Sequence, residues 1–218
     1  MGASSAEVRV LANEPLGPGG FLLTFERPNL DFQTGQYLSL GIPGHREQRE
    51  YSIYSGQGEK TLTVLIKEVP EGLVSQRLAA LIPGDKIHVD GPFGYFTLEP
   101  ALKTEDPLLF LATGTGISPF HSFVATRPGL QYTLLHGVRH GADLALQRDF
   151  APEHLVPCVS REEGAWFKGR VTQKLESMTI DPKSHAFLCG NCDMIYEAFD
   201  LLRSAGVSSD RIYTEVYF

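Results

Sequence analysis

Leu108-Leu109-Phe110-Leu111-Ala112 runs without a polar interruption straight into Thr113-Gly114-Thr115-Gly116. A strand that keeps one face in water alternates apolar and polar residues; this one cannot, so both of its faces must be covered. Helices packed on the two sides of a parallel sheet supply that cover. The rest of the chain from Pro107 fits the same plan. Tyr132-Thr133-Leu134-Leu135, Val156-Pro157-Cys158-Val159, Ala186-Phe187-Leu188-Cys189 and Ile212-Tyr213-Thr214 read as strands. Helices are expected from Ser118, around Asp143 to Phe150, near Thr172 to Met178 and over Met194 to Leu202. Strands alternating with helices mean right-handed βαβ units.

The first hundred residues follow a different rule. Val8-Arg9-Val10, Phe21 to Phe25, Tyr37 to Leu40, Thr61 to Ile66 and Lys86 to Val89 are short β-rich runs. Gly17-Pro18-Gly19-Gly20, Pro43-Gly44, Gly56-Gln57-Gly58 and Pro83-Gly84-Asp85 punctuate them as turns. Only Val74 to Leu81 has helical spacing. Many short strands with turns at this interval predict a closed antiparallel barrel. The polar stretch Glu99 to Asp106, with Pro100, marks the boundary. The expected architecture is therefore an N-terminal antiparallel β-barrel over residues 1–100 and a parallel-sheet α/β domain over 101–218.

Composition narrows the function. The 26 acidic and 19 basic residues leave a formal charge of -7, which argues against general nucleic-acid binding. No run approaches the roughly 20 apolar residues of a membrane-spanning helix. Met1-Gly2-Ala3-Ser4-Ser5 has none of the charge and apolar pattern of a signal peptide. Cys158, Cys189 and Cys192 make no disulfide framework and are fewer than an iron–sulfur cluster takes. The seven histidines lack metal-ligand spacing, so no metal is expected. A cytoplasmic monomer is expected, binding neither nucleic acid nor membrane.

Three clusters carry chemistry. In Arg49-Glu50-Tyr51-Ser52 the alternation of a strand puts Arg49 and Tyr51 on one side, with Ser52 at the strand end. An aromatic ring, a hydroxyl and a cation together suit a flavin, although a plain half-buried strand has the same alternation. Gly72-Leu73-Val74-Ser75 opens a helix, where free amides and a glycine suit a phosphate; an ordinary helix start capped by Ser75 is the plainer reading. Gly114-Thr115-Gly116 lies between strand and helix, as a dinucleotide turn requires, but the third glycine of the usual fingerprint is missing and Pro119 stands near its place.

Further on, Ser160-Arg161 and Lys168-Gly169-Arg170 offer a hydroxyl and guanidinium groups that suit the 2′-phosphate of NADP. The alternative is a solvated loop whose arginines are neutralised by Glu162 and Glu163. Cys189-Gly190-Asn191-Cys192 has dithiol spacing. Its place late in a nucleotide-type sheet favours instead a ligand edge, with Cys192 as a small helix-capping residue.

These residues together resemble the ferredoxin–NADP reductase superfamily over essentially the whole chain, and within it the bacterial ferredoxin or flavodoxin reductases. In that family the Arg-x-Tyr-Ser strand binds FAD, and Arg49, Tyr51 and Ser52 match it. The resemblance extends the FAD set to Glu50, Ile53, Ile66, Lys67, Gly72, Leu73, Val74, Ser75 and Thr115. Gly91-Pro92-Phe93-Gly94 matches the family's barrel-closing motif. Thr113, Gly114, Thr115 and Gly116 fall on the nicotinamide-nucleotide loop, which continues through Ile117-Ser118-Pro119. Ser160, Arg161 and Arg170 fall at the 2′-phosphate, Cys189, Gly190 and Asn191 beside the nicotinamide, and Arg139 and Asp193 join the NADP set. Cys192 departs from the family's proline. The ending Glu215-Val216-Tyr217-Phe218 looks like the family's terminus, where an aromatic ring covers the flavin and a further one stacks on the FAD adenine.

The resemblance implies hydride passing between NADPH and flavin N5. Ser52, Cys189, Glu215 and Tyr217 would be catalytic, with ferredoxin or flavodoxin taking single electrons. A loosely binding flavin reductase, an NADH-dependent oxygenase reductase component and a non-catalytic binding module are the alternatives.

Overall fold

The computed structural model describes residues 4–103 and 105–217. They form two compact units. One takes the described residues of Met1–Thr97 and Ser118–Pro128, the other those of Leu98–Ile117 and Gly129–Phe218.

The first unit is built on β1 (Ser4–Gly17), β2 (Gly20–Glu26), β3 (Tyr37–Gly41), β4 (Gln48–Ser52), β5 (Thr61–Lys67) and β6 (Lys86–Phe93), with α1 (Leu73–Ala79) between the last two. The strands pair antiparallel in the order β4-β3-β6-β1-β2-β5. A bridge from Ile53 to Val64, with the Tyr54 amide donating to Thr63 O at 2.8 Å, brings the two outer strands together and closes the sheet on itself. The inward residues of β2, Phe21, Leu23 and Phe25, join Leu38, Leu40, Leu62, Val64, Ile87 and Val89 in one core. Their period of two is what a strand with one covered face dictates. On α1, Val74 and Leu78 seal the same core.

The second unit holds β7 (Leu108–Thr113), β8 (Thr133–Val138), β9 (Leu155–Val159), β10 (Phe167–Lys168), β11 (His185–Gly190) and β12 (Ile212–Val216), all parallel, in the order β10-β9-β8-β7-β11-β12. Leu108 to Ala112 are all buried, as the unbroken apolar run requires. On one face lie α3 (Val171–Glu176) and α4 (Cys192–Ser204), whose Val171, Leu175, Ile195, Ala198 and Leu202 pack with Leu109, Leu111, Leu135 and Leu188.

The structure departs from the sequence reading in three places. The helix expected around Asp143 to Phe150 is absent; 3-10 turns at Gly141–Leu144 and Gln147–Asp149 replace it. Leu144 and Leu146 are both buried, and residues two apart cannot share a face of an α-helix. The short β10 was not anticipated; it adds Phe167 and Lys168 beside Cys158 and Val159.

The third departure is α2 (Ser118–Thr126), which follows the glycine turn after β7 but belongs to the barrel unit. His121 Nδ1 donates to Tyr54 O at 2.7 Å, and its ring stacks on Tyr54 at 3.8 Å between centroids. Ser122 Oγ donates to Ser55 O at 2.9 Å, and Thr126 Oγ1 accepts from the Gln57 amide at 2.8 Å. Phe120 and Phe123 pack on Phe96. The helix is fastened to the segment that directly follows β4.

Candidate active site

In the barrel unit, β4 stands at one end of the strand order and meets β5 just past its last residue, at the Ile53–Val64 bridge. Arg49 lies opposite Leu40, Tyr51 opposite Leu38 and Ser52 opposite Tyr37. Arg49 and Glu50 are exposed, Tyr51 is half-buried and Ser52 is buried at the strand end. Burial pushes the Tyr51 phenol up to about 12, the Arg49 charge countering this only in part, so the ring stays neutral. Among the described residues no carboxylate pairs with Arg49; its Nη1 donates to Gln48 O at 2.8 Å.

Ile53 and Ile66 are 0% exposed in the barrel core, so only their backbone can meet a ligand. Lys67 is exposed at the end of β5. Gly72 precedes α1 with no side-chain cap, and the first amides of a helix have no partner within it. Ser75 does not cap this start: its hydroxyl accepts from the Val69 amide at 3.0 Å, fixing the loop before the helix. Leu73 is exposed and Val74 buried. An uncapped amide turn, a neutral ring and an unpaired guanidinium fit the ring and phosphates of a flavin nucleotide.

In the sheet unit the strand order reverses between β7 and β11, the place where open α/β sheets bind ligands at strand C-terminal ends. Ala112 pairs with Cys189, and the Asn191 amide donates to Thr113 Oγ1 at 2.8 Å. A Cβ on Gly116 would sit 2.3 Å from Cys189 O, and one on Gly190 2.3 Å from Thr113 Oγ1. Gly190 also has φ +126°, a region closed to most side chains. Glycine at 116 thus lets the turn Gly114–Ile117 lie against β11. His136 Nε2 donates to Gly114 O at 3.0 Å and holds that turn from β8. Burial drives its imidazole down to about 4, so it is neutral, and among the described residues Nδ1 has no hydrogen-bond partner.

Glu215 lies opposite Cys189 on β12, and the Tyr217 amide donates to Gly190 O at 2.9 Å. Cys189 Sγ donates weakly to Glu215 Oε2 at 3.9 Å. Burial, then the Glu215 charge, raise the thiol well above its ordinary range, so it stays protonated and is no exchange nucleophile. Cys192 does not cap α4. Asn191 does, its Oδ1 accepting from the Met194 amide at 3.2 Å, with Cys192 the first helical residue and Asp193 exposed behind it. Phe218 lies outside the described residues.

At the ends of β8 and β9, Arg139 and Arg161 are joined by the Arg161 amide donating to Arg139 O at 3.1 Å. Ser160 Oγ donates to Val138 O at 3.3 Å. Ser160 and Arg170 are exposed, as are both arginines. The expected neutralisation by the two glutamates is not made. Glu162 binds His140 at 2.7 Å and the Gly141 amide at 2.8 Å, and Glu163 pairs with Lys168. Among the described residues Arg139, Arg161 and Arg170 form no ion pair.

Family models match both halves, the oxidoreductase FAD-binding domain over residues 20–98 and the oxidoreductase NAD-binding domain over 110–199. The flavodoxin/ferredoxin–NADP reductase of Escherichia coli is 34% identical over 200 residues, covering 80% of each chain. The chain belongs to the ferredoxin–NADP reductase family. It is a reductase with an FAD-binding and an NAD(P)-binding domain. It is also 32% identical to the toluate 1,2-dioxygenase electron transfer component of Pseudomonas putida, over 86% of its own length but only 59% of that relative. In fold it resembles a ferredoxin–NADP+ reductase of Neisseria gonorrhoeae with bound FAD and NADP, with a TM-score of 0.89 over 98% of this chain and 99% of that one at 24% identity. Tyr54, His121 and His136 escaped the sequence reading; only the His136-Gly137 pair at a strand end hinted at one of them.

Proposed function

We propose that this reductase takes electrons from NADPH in preference to NADH and passes them singly to a ferredoxin or a flavodoxin. The observation that carries the nucleotide preference is the trio Arg139, Arg161 and Arg170, which form no ion pair among the described residues while the neighbouring glutamates are engaged elsewhere. Guanidinium groups in that state suit a 2′-phosphate bidentately.

Bound FAD supplies the hydride acceptor and the exchange between two-electron and one-electron transfer. The chain's own residues do the rest. Arg49 and the amides of Leu73, Val74 and Ser75 hold the flavin phosphates, Tyr51 offers a neutral ring face, and Ser52 presents a hydroxyl. Thr113, Gly114, Thr115, Gly116, Gly190, Asn191 and Asp193 shape the nucleotide cleft at the strand ends. Glu215 lines it with a carboxylate, and the protonated Cys189 thiol lies buried behind it. Tyr217, with its amide fixed by Gly190, competes with nicotinamide for the flavin face. In chain terms we take 1–100 as the flavin domain and 101–218 as the nucleotide domain, with α2 lent back to the barrel unit. We also take the protein to work in the cytoplasm as a monomer; three free thiols suit a reducing compartment.

The likeness to the toluate dioxygenase component favours a second reading, electron delivery to an oxygenase from NADH. Steady-state turnover with each nucleotide and with ferredoxin, flavodoxin or an oxygenase component as acceptor separates the two. A kcat/KM for NADPH at least tenfold above that for NADH, with reduction of ferredoxin or flavodoxin, supports the first. Equal use of both nucleotides, with the oxygenase component as the better acceptor, overturns it.

A further inference from the structure

Trp166 is the only tryptophan of the chain. Its ring occupies the space beside two glycines: a Cβ on Gly141 would sit 2.6 Å from Cη2, and one on Gly164 2.2 Å from Cζ2. Its Nε1 donates to Glu162 O at 3.3 Å, and it packs on Val138, Leu144 and Val159. The Glu162 side chain reaches the other way. Oε2 accepts from the Gly141 amide at 2.8 Å and Oε1 from His140 Nδ1 at 2.7 Å. The Glu162 carboxylate therefore ties the loop after β8 to the loop after β9, while its carbonyl holds Trp166 within the latter. Those two loops carry Arg139 and Arg161.

We infer that Glu162 is a positioning residue that sets nucleotide preference: its clasp on His140 and Gly141 fixes Arg139 beside Arg161 and keeps its own carboxylate off both. A free carboxylate next to Arg161 would pair with that guanidinium and repel a phosphate dianion. Clasped, it does neither. The two hydrogen bonds, first that from Gly141 and then that from His140, also hold the Glu162 carboxyl below its usual range, so it stays an acceptor at neutral pH. The inference rests on the NADP reading above, since it assigns a residue to that same phosphate position.

Trp166 reports on the clasp directly. The purified flavin-loaded protein is titrated with adenosine 2′,5′-bisphosphate and with adenosine 5′-monophosphate while Trp166 fluorescence is followed. The same is done for Glu162→Ala, Glu162→Gln and Arg161→Ala. The parent is expected to bind the bisphosphate at least tenfold tighter than the monophosphate. Glu162→Ala should weaken the bisphosphate about tenfold, the scale of losing a charge-assisted hydrogen bond, and leave the monophosphate unchanged. Glu162→Gln, which can still accept from Gly141 and bond His140, should restore most of that loss. KM for NADPH should rise with the bisphosphate constant while KM for NADH stays put.

An unchanged bisphosphate constant in Glu162→Ala, or equal weakening of both probes, overturns the inference. If Arg161→Ala weakens the bisphosphate but not the monophosphate in that case, the NADP reading survives alone. If Arg161→Ala also leaves the bisphosphate unaffected, that reading falls and the inference with it.

Discussion

In the barrel unit the motif residues stand on an end strand as side chains, Arg49 at the surface and Tyr51 half-buried. In the sheet unit the strand-end turn is made of backbone: Gly116 and Gly190 lie so close to Cys189 and Thr113 that neither has room for a Cβ. The first arrangement depends on side-chain chemistry and the second on chain geometry. Substitutions should therefore fail differently in the two units, by loss of cofactor in one and by loss of the fold's edge in the other.

The largest effect is expected at Gly190→Ala, where positive φ and a 2.3 Å approach combine. It should lower the stability of the protein by about 3 kcal/mol or more in denaturant unfolding. Gly20→Ala in the barrel, with nothing within 4 Å of the added Cβ, should stay within about 0.5 kcal/mol. Similar losses at both would erase the contrast.

The pH response should also separate the units. His136 is neutral in the fold, at about 4 against an ordinary 6.5. The unfolded chain binds that proton first, so the stabilisation is whole above pH 6.5 and fades as pH falls towards 4, by about 3 kcal/mol. Tyr51 is raised from 10.0 to about 12, so its share is whole below pH 10 and fades as pH rises towards 12. With the ring only partly buried, that share is about 1–2 kcal/mol. Unfolding midpoints across pH should lose the acid slope in His136→Gln and the alkaline slope in Tyr51→Phe. Slopes that survive these changes would assign the titrations to other groups.

Smaller and more selective, Arg49→Ala should loosen FAD about tenfold, read by flavin release on dilution, with KM for NADPH unchanged. A change in KM without flavin loss would move Arg49 out of the flavin site. The mildest test is alkylation at pH 8: iodoacetamide should label Cys192 and spare Cys189, whose buried thiol stays protonated. Equal labelling by mass spectrometry would contradict the Cys189 geometry.

Much of the architecture was readable because the two halves use different hydrophobic periods. Alternating runs around Phe21 and Thr61 against the unbroken Leu108 to Ala112 separate barrel from sheet without any three-dimensional information. The strand-end site was readable for the same reason, since glycines after an apolar strand leave few alternatives. What stayed hidden depends on contacts remote in sequence. Nothing in Ser118 to Thr126 says that His121 and Ser122 bind Tyr54 and Ser55, 67 positions away. Residues 141–150 read as a helix because composition does not show that Leu144 and Leu146 must both turn inwards. Glu162 read as a neutraliser of arginine because charge is visible in sequence and the Gly141 amide it binds is not.

The central claim is that one unit holds FAD and the other receives NADPH, and an absorption spectrum tests it most directly. The purified protein is examined for a visible flavin band, then treated anaerobically with stoichiometric NADPH or NADH. The expected result is a flavin retained through purification and bleached at least tenfold faster by NADPH. A colourless protein, or equal bleaching by both nucleotides, would contradict it.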